Sequence, residues 1–245
     1  MLSIIKKIYR KIFINSNTEI INITEEPYDF NKSNPLGGNG ERVDITYKPN
    51  IDFSKLDMYQ KSHFRRYQFA TDLISIGDIC GDFACGTGYG SAMLVTKASK
   101  VIGMDLNSHV ITEIIERYKK TPNLAFYNDN LLNLNYENYF DCIVSFETVE
   151  HFYDHDVLTL IKLFAKALKT NGKFIFSTPY MQERSEAAEK LGFHLSFYFS
   201  EEKIAKLLAE CGLEIVLYKF QNYDTHTIES SLAKKDFIIC VAKKK

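Results

Sequence analysis

The sequence predicts an α/β fold: a doubly wound sheet of seven strands, mostly parallel, closed by an antiparallel C-terminal hairpin strand. Three observations predict it. From Asp78 onward, short apolar runs alternate with stretches of helical period, as strand–helix–strand units do. The first run ends in a glycine-rich loop that opens directly onto a helix candidate. The last two runs are joined by a polar connection instead of a helix, so they are expected to pair as an antiparallel hairpin at the sheet edge.

The elements follow in order. Residues 1–14, MLSIIKKIYRKIFI, set Ile4, Ile5, Ile8, Ile12 and Phe13 on one helical face against Lys6, Lys7, Arg10 and Lys11 on the other. Such a basic amphipathic helix suits docking on its own domain or peripheral contact with an anionic membrane; its cations interrupt the apolar run a signal peptide needs. Residues 15–50 are polar and rich in turn formers, among them Pro27, Asn34-Pro35 and Gly37-Gly38-Asn39-Gly40, and are expected to be an irregular flap over the site. Residues 1–55 therefore read as an N-terminal extension and 56–245 as the main domain. A helix is expected over 57–76. Strands are expected at 79–84, 101–105, 124–127, 141–145, 174–177, 214–220 and 237–242, and further helices at 89–98, 108–119, 154–169 and 200–211.

Composition narrows the class. A chain of 245 residues with 45% hydrophobic and 25% charged side chains can bury a sheet with helices on both faces. A net charge of −1 gives no basic excess, which argues against a nucleic-acid partner. Five cysteines, an odd number without a C-x-x-C pair, fit reduced thiols of a cytoplasmic protein. No apolar run approaches the ~18 residues of a membrane-spanning helix, and no His/carboxylate spacing suggests a metal site.

The chemistry concentrates around residues 82–90, DFACGTGYG. Glycines there let a ligand approach the backbone. The dinucleotide pattern G-x-G-x-x-G fails, because after Gly86 and Gly88 its third position falls on Ser91, and the phosphate loop ending in Gly-Lys-Ser/Thr is absent. Asp82 at the end of the strand would repel a pyrophosphate and suit a cationic amine. Asp105 ends the second strand, where an acid can hold both hydroxyls of a ribose. The site calls for a nucleoside carrying a cation and no phosphates, a description that S-adenosylmethionine fits.

With these motifs in order, residues 56–242 resemble the class I methyltransferases, whose Rossmann-like fold and S-adenosyl-L-methionine cofactor the resemblance implies here. Residues 82–90 are similar to the family's first motif, with Ala84 where its first glycine falls. Gly103-Met104-Asp105, followed by Leu106, is similar to the second, Asn128-Asp129-Asn130 to the third, and residues 140–146, ending in Phe146, to the fourth. Glu147-Thr148-Val149-Glu150-His151 continues a common family run. The turn at 168–173 is partly kept, with Thr170 for the usual proline and Lys173 for the second glycine. Residues 63–70, HFRRYQFA, resemble a segment of methyltransferases from bacterial polysaccharide (capsule or lipopolysaccharide) biosynthesis clusters, and Gly40-Glu41-Arg42 a run in the same group. The resemblance implies cofactor contacts at Arg66, Tyr67, Asp82, Ala84, Gly86, Gly88, Asp105, Leu106, Asp129, Asn130 and Phe146. Arg66 would meet the cofactor carboxylate and Tyr67 would close over the methionine.

Methyl transfer from a sulfonium needs alignment and often a base. His151, after the fourth strand, and His194, in a segment that borders the acceptor in sugar methyltransferases, are equal candidates. Tyr180, Met181, Tyr198 and Tyr223 are candidate acceptor-pocket aromatics. The resemblance favours O-methylation of a glycan or nucleotide-activated sugar. N- or C-methylation of a small molecule, and a non-catalytic cofactor-binding partner subunit, stand as alternatives.

Overall fold

The computed structural model describes residues 42–185 and 194–245. The basic segment 1–14, the flap up to residue 41, and Leu191, Gly192 and Phe193 lie outside the described residues.

Eight strands form one sheet in the order β3-β2-β1-β4-β5-β8-β6-β7. In chain order the elements are α1 (Met58–Leu73), β1 (Ile79–Phe83), α2 (Tyr89–Leu94), β2 (Lys100–Asp105), α3 (Ser108–Tyr118), β3 (Leu124–Asn128), β4 (Phe140–Phe146), α4 (Asp154–Ala167), β5 (Leu168–Pro179), α5 (Glu201–Glu210), β6 (Leu213–Gln221), β7 (Ile228–Glu229) and β8 (Phe237–Lys244). β1 to β5 run parallel to one another, and β8 lies antiparallel to both β5 and β6.

Sequence explains the elements locally. α1 starts at a capping box: the Asp57 carboxylate accepts from Gln60 N–H at 2.8 Å, and the Gln60 side chain accepts from Asp57 N–H at 3.0 Å. α3 is capped by Asn107, whose side-chain oxygen accepts from the N–H groups of His109 and Val110. The strands distribute their side chains by the period of two. Ile143 and Phe174 enter one core layer with Leu160 and Phe164 of α4. Their neighbours Val144 and Ile175 enter the opposite layer with Tyr67 and Ala70 of α1. A third, smaller cluster joins Ile114 of α3 to Phe126 of β3. Val43 and Ile45 are buried in the α1 layer, so the chain packs against the main domain from well before residue 56.

Three expectations are corrected. The sheet has eight strands, because Ile228–Glu229 adds a two-residue edge strand to β6; so short a pairing leaves no periodic trace. The last strand pairs with β6 as expected but does not lie at the edge: β8 is inserted between β5 and β6. Its run FIICVAKK is continuously apolar at its centre and buried there on both faces, whereas β6 alternates and exposes Glu214 and Val216. β5 begins at Leu168, before the expected run, pairing with Phe140 ahead of a register shift.

Strand order reverses direction between β1 and β4, since β2 and β3 lie to one side and β5 to the other. In such sheets a crevice opens there beyond the carboxyl ends of the strands.

Candidate active site

The crevice is a cavity of about 620 Å³, within the usual size of a small-molecule site. Its floor is the loop that follows β1. Ala84, Gly86 and Gly88 all adopt left-handed backbone, with φ of 60°, 51° and 74°. Glycine takes this region freely and alanine at a cost, so Ala84 holds a strained turn at the cavity wall. The loop is pinned from above, where Thr87 Oγ1 donates to Val43 O at 2.6 Å.

Gly90 has a different task. A Cβ at this position would lie 2.1 Å from the Tyr67 ring. The third glycine of G-T-G-Y-G therefore makes room for an aromatic side chain of α1. Tyr67 in turn donates its hydroxyl to Asp82 Oδ1 at 2.9 Å, and Ser91 donates to Oδ2 at 2.5 Å. Asp82 is fully buried beneath the loop, and burial pushes its carboxyl up to about 6 against the lowering effect of the two hydroxyl donors. At neutral pH it is an anion under the loop. His63, at the cavity wall, is held well below the ordinary histidine range by burial and then by the Arg66 charge, so it is neutral.

Asp105 closes β2 at the cavity wall. Its Oδ2 accepts from Gly86 N–H at 3.0 Å, which ties β2 to the glycine loop. Its Oδ1 accepts from Asn107 N–H at 3.0 Å and from Arg42 Nη2 at 3.1 Å.

At the other end of the cavity stand Glu150 and His151, on a short 3₁₀ turn (Val149–His151) after β4, and His194 on the segment before α5. The two segments are stitched together: Leu195 N–H and Ser196 N–H both donate to Glu150 O, at 2.7 and 3.1 Å. The His151 and His194 rings meet edge-on with centroids 5.1 Å apart. The Glu150 side chain is almost wholly buried. Each of the three offers one ligand-type atom, and these atoms lie within 4.8 Å of one another. The fold brings His194 to Glu150 and His151 from a segment remote in sequence.

Of the sequence-derived residues, Tyr67, Ala84, Gly86, Asp105, Leu106, Asp129, Phe146, His151 and His194 line this one cavity. Four do not. Gly88 shapes the loop from outside the cavity wall, and Asp82 lies beneath it. Asn130 accepts from Leu132 N–H at 2.9 Å and so caps a 3₁₀ turn. Arg66 is completely buried, bonded to Gln221 Oε1 at 2.9 Å, 3.8 Å from Glu147 Oε1 of the cavity wall and covered by the Phe237 ring at 4.4 Å. Tyr180 lines the cavity and Met181, Tyr198 and Tyr223 do not. Gln182, Asp236 and Phe237 also line the cavity without a motif that marks them, as does Arg42 of the Gly40-Glu41-Arg42 run.

Comparisons with known proteins agree with this geometry. Residues 81–172, which run from β1 into β5, match the family model described as a methyltransferase domain. A protein of Mycolicibacterium smegmatis, described as a probable S-adenosylmethionine-dependent methyltransferase, is 29% identical over 96 residues. That match takes in 39% of this chain and 35% of the relative, so the chain spans about a third of the curated relative's length. Among solved structures, the N-methyltransferase NodS of Bradyrhizobium japonicum with S-adenosyl-L-homocysteine superposes with a TM-score of 0.59 at 15% identity, over 78% of this chain and 90% of that one. The [4+2]-cyclase SpnF superposes at 0.63 with 12% identity, over 80% and 84%. The fold is thus the Rossmann-like fold of methyltransferases, and SpnF shows that the fold alone does not fix the reaction.

Proposed function

We propose that this chain is an S-adenosylmethionine-dependent methyltransferase that methylates a hydroxyl of a glycan or nucleotide-activated sugar. The observation that carries the donor is Asp105, whose carboxylate ends β2 at the cavity wall and is joined to the glycine loop through Gly86 N–H. A carboxylate there can accept from both ribose hydroxyls, with Arg42 giving way on Oδ1. The Asp82 anion beneath the loop favours a donor that carries positive charge and disfavours phosphate. The family match over the same loop supports the donor, and a methyltransferase of the same fold holds the demethylated product.

Transfer is a displacement at the methyl carbon. An acceptor lone pair forms the new bond as the carbon–sulfur bond breaks, its electron pair staying on sulfur. The protein contributes alignment and eases loss of the acceptor proton. The open half of the cavity, with His151, His194 and Tyr180, is where an acceptor fits; its polar and aromatic lining suits a sugar ring. The competing reading is N-methylation, favoured by the likeness to NodS, which is named an N-methyltransferase. Labelled methyl transfer from S-adenosylmethionine to a panel of nucleotide sugars and amines decides between them. Label in an alkali-stable sugar ether is the expected result, and label only in amines would overturn the O-methyl assignment. A cytoplasmic site of action, with the segment 1–14 at a membrane surface, fits a glycan acceptor; vesicle co-sedimentation that survives deletion of residues 1–14 would contradict the second part.

A further inference from the structure

We infer that Glu150, His151 and His194 form a binding site for one divalent transition-metal ion of the zinc or cobalt kind, at the acceptor end of the cavity. The first ground is convergence. One carboxylate oxygen and two imidazole nitrogens lie within 4.8 Å of one another, and among the described residues this is the group of His, Cys, Asp and Glu so placed. Ligands about 2.1 Å from a tetrahedral zinc sit about 3.4 Å apart, so modest side-chain rotations draw these three onto one ion. The second ground is the donor set: two imidazoles and a carboxylate suit a borderline ion and leave coordination positions open, as catalytic sites do.

The third ground is the shell behind the ligands. His194 Nδ1 lies 2.6 Å from Gln182 Oε1, a contact that orients the ring as outer partners of metal-bound histidines do. Ser196 Oγ donates to Phe152 O at 2.6 Å, and both Leu195 and Ser196 amides are bonded to Glu150 O, so the His194 segment is locked onto the turn that carries the other two ligands. The edge-on ring arrangement lets both imidazoles point at one centre without stacking. The Glu150 carboxylate is out of water, where a cation interacts with it most strongly.

The role of the ion rests on the methyl-transfer reading; the site itself does not. An acceptor hydroxyl takes the open position, and the ion acidifies it. Its proton passes to solvent water. The oxygen lone pair forms the O–CH₃ bond, the C–S bond breaks, and its electron pair remains on sulfur as the sulfonium becomes a neutral thioether. In this arrangement the histidines are ligands rather than proton acceptors.

The full chain, stripped with a chelator, is titrated with Zn²⁺ against a chromophoric competitor and with Co²⁺ by visible absorption, with S-adenosyl-L-homocysteine calorimetry in parallel. One equivalent of Zn²⁺ and a cobalt band of low-symmetry coordination are expected. Glu150→Gln and His194→Ala should each weaken Zn²⁺ binding by roughly 100-fold or more, and Gln182→Leu, which leaves every ligand in place, by about tenfold. Circular dichroism checks folding, and Gln182→Leu keeps the test open if a ligand variant does not fold. Wild-type binding no tighter than that of the folded ligand variants, or no cobalt band, overturns the metal site even if the demethylated cofactor binds. Loss of cofactor binding with the metal site intact instead overturns the methyl-transfer reading.

Discussion

At the scale of single residues, the site is a set of close approaches that tolerate little change. Gly90→Ala places a methyl group inside the Tyr67 ring. The expected cost is about 1–3 kcal/mol of stability, seen as a lower urea midpoint; adding Tyr67→Ala should recover part of it, since the two changes share one space. Asp105→Ala removes the acceptor proposed for the ribose. A hydrogen bond to a charged group is worth about 1.5–3 kcal/mol, so cofactor affinity should fall roughly 10- to 100-fold, measured by calorimetry on a variant whose thermal unfolding is checked separately. Both acids were legible in the sequence, because an acid at the end of a strand has a defined place in a doubly wound sheet. For Arg66, to which the resemblance gives a cofactor contact, only packing reveals the enclosure by Phe237 and Gln221.

At the scale of elements, the first five strands and the helices between them were legible from alternation of period. The structure adds their caps, at Asp57 and Asn107. Asp57→Ala should cost about 1 kcal/mol, because the capping box satisfies two N–H groups at the start of α1; equilibrium unfolding in urea reads this directly. The C-terminal part was legible in kind and not in position. Antiparallel pairing of β6 and β8 follows from the polar connection, but the insertion of β8 beside β5 depends on which strand is buried on both faces. That difference is visible in the sequence as the continuous run around Ile238–Val241 against the alternation of β6, a contrast of degree that a search for strands passes over. The turn bearing Glu150 and His151 meets the His194 segment through two backbone hydrogen bonds to one carbonyl, a contact between segments that no local pattern encodes.

For the whole molecule, the buried Asp82 links stability to pH. Its folded-state pKa of about 6 lies above the ordinary 3.8, so the folded chain holds a proton that the unfolded chain gives up between those values. This group therefore contributes less stability as pH rises from about 4 to about 6, by roughly 3 kcal/mol across the window. Asp82→Asn should flatten that part of the curve, while an unchanged slope would show that the carboxyl is not perturbed. Taken together, the switch point between β1 and β4, the strained loop and the two acids form the end of the cavity proposed to seat a cationic nucleoside, with the proposed acceptor space beside it. The most direct measurement is calorimetric titration of the full chain with S-adenosylmethionine and with S-adenosyl-L-homocysteine. One saturable site for each, weakened by Asp105→Ala, is the predicted result. Undetectable binding of both to the folded wild-type chain would contradict the methyltransferase assignment.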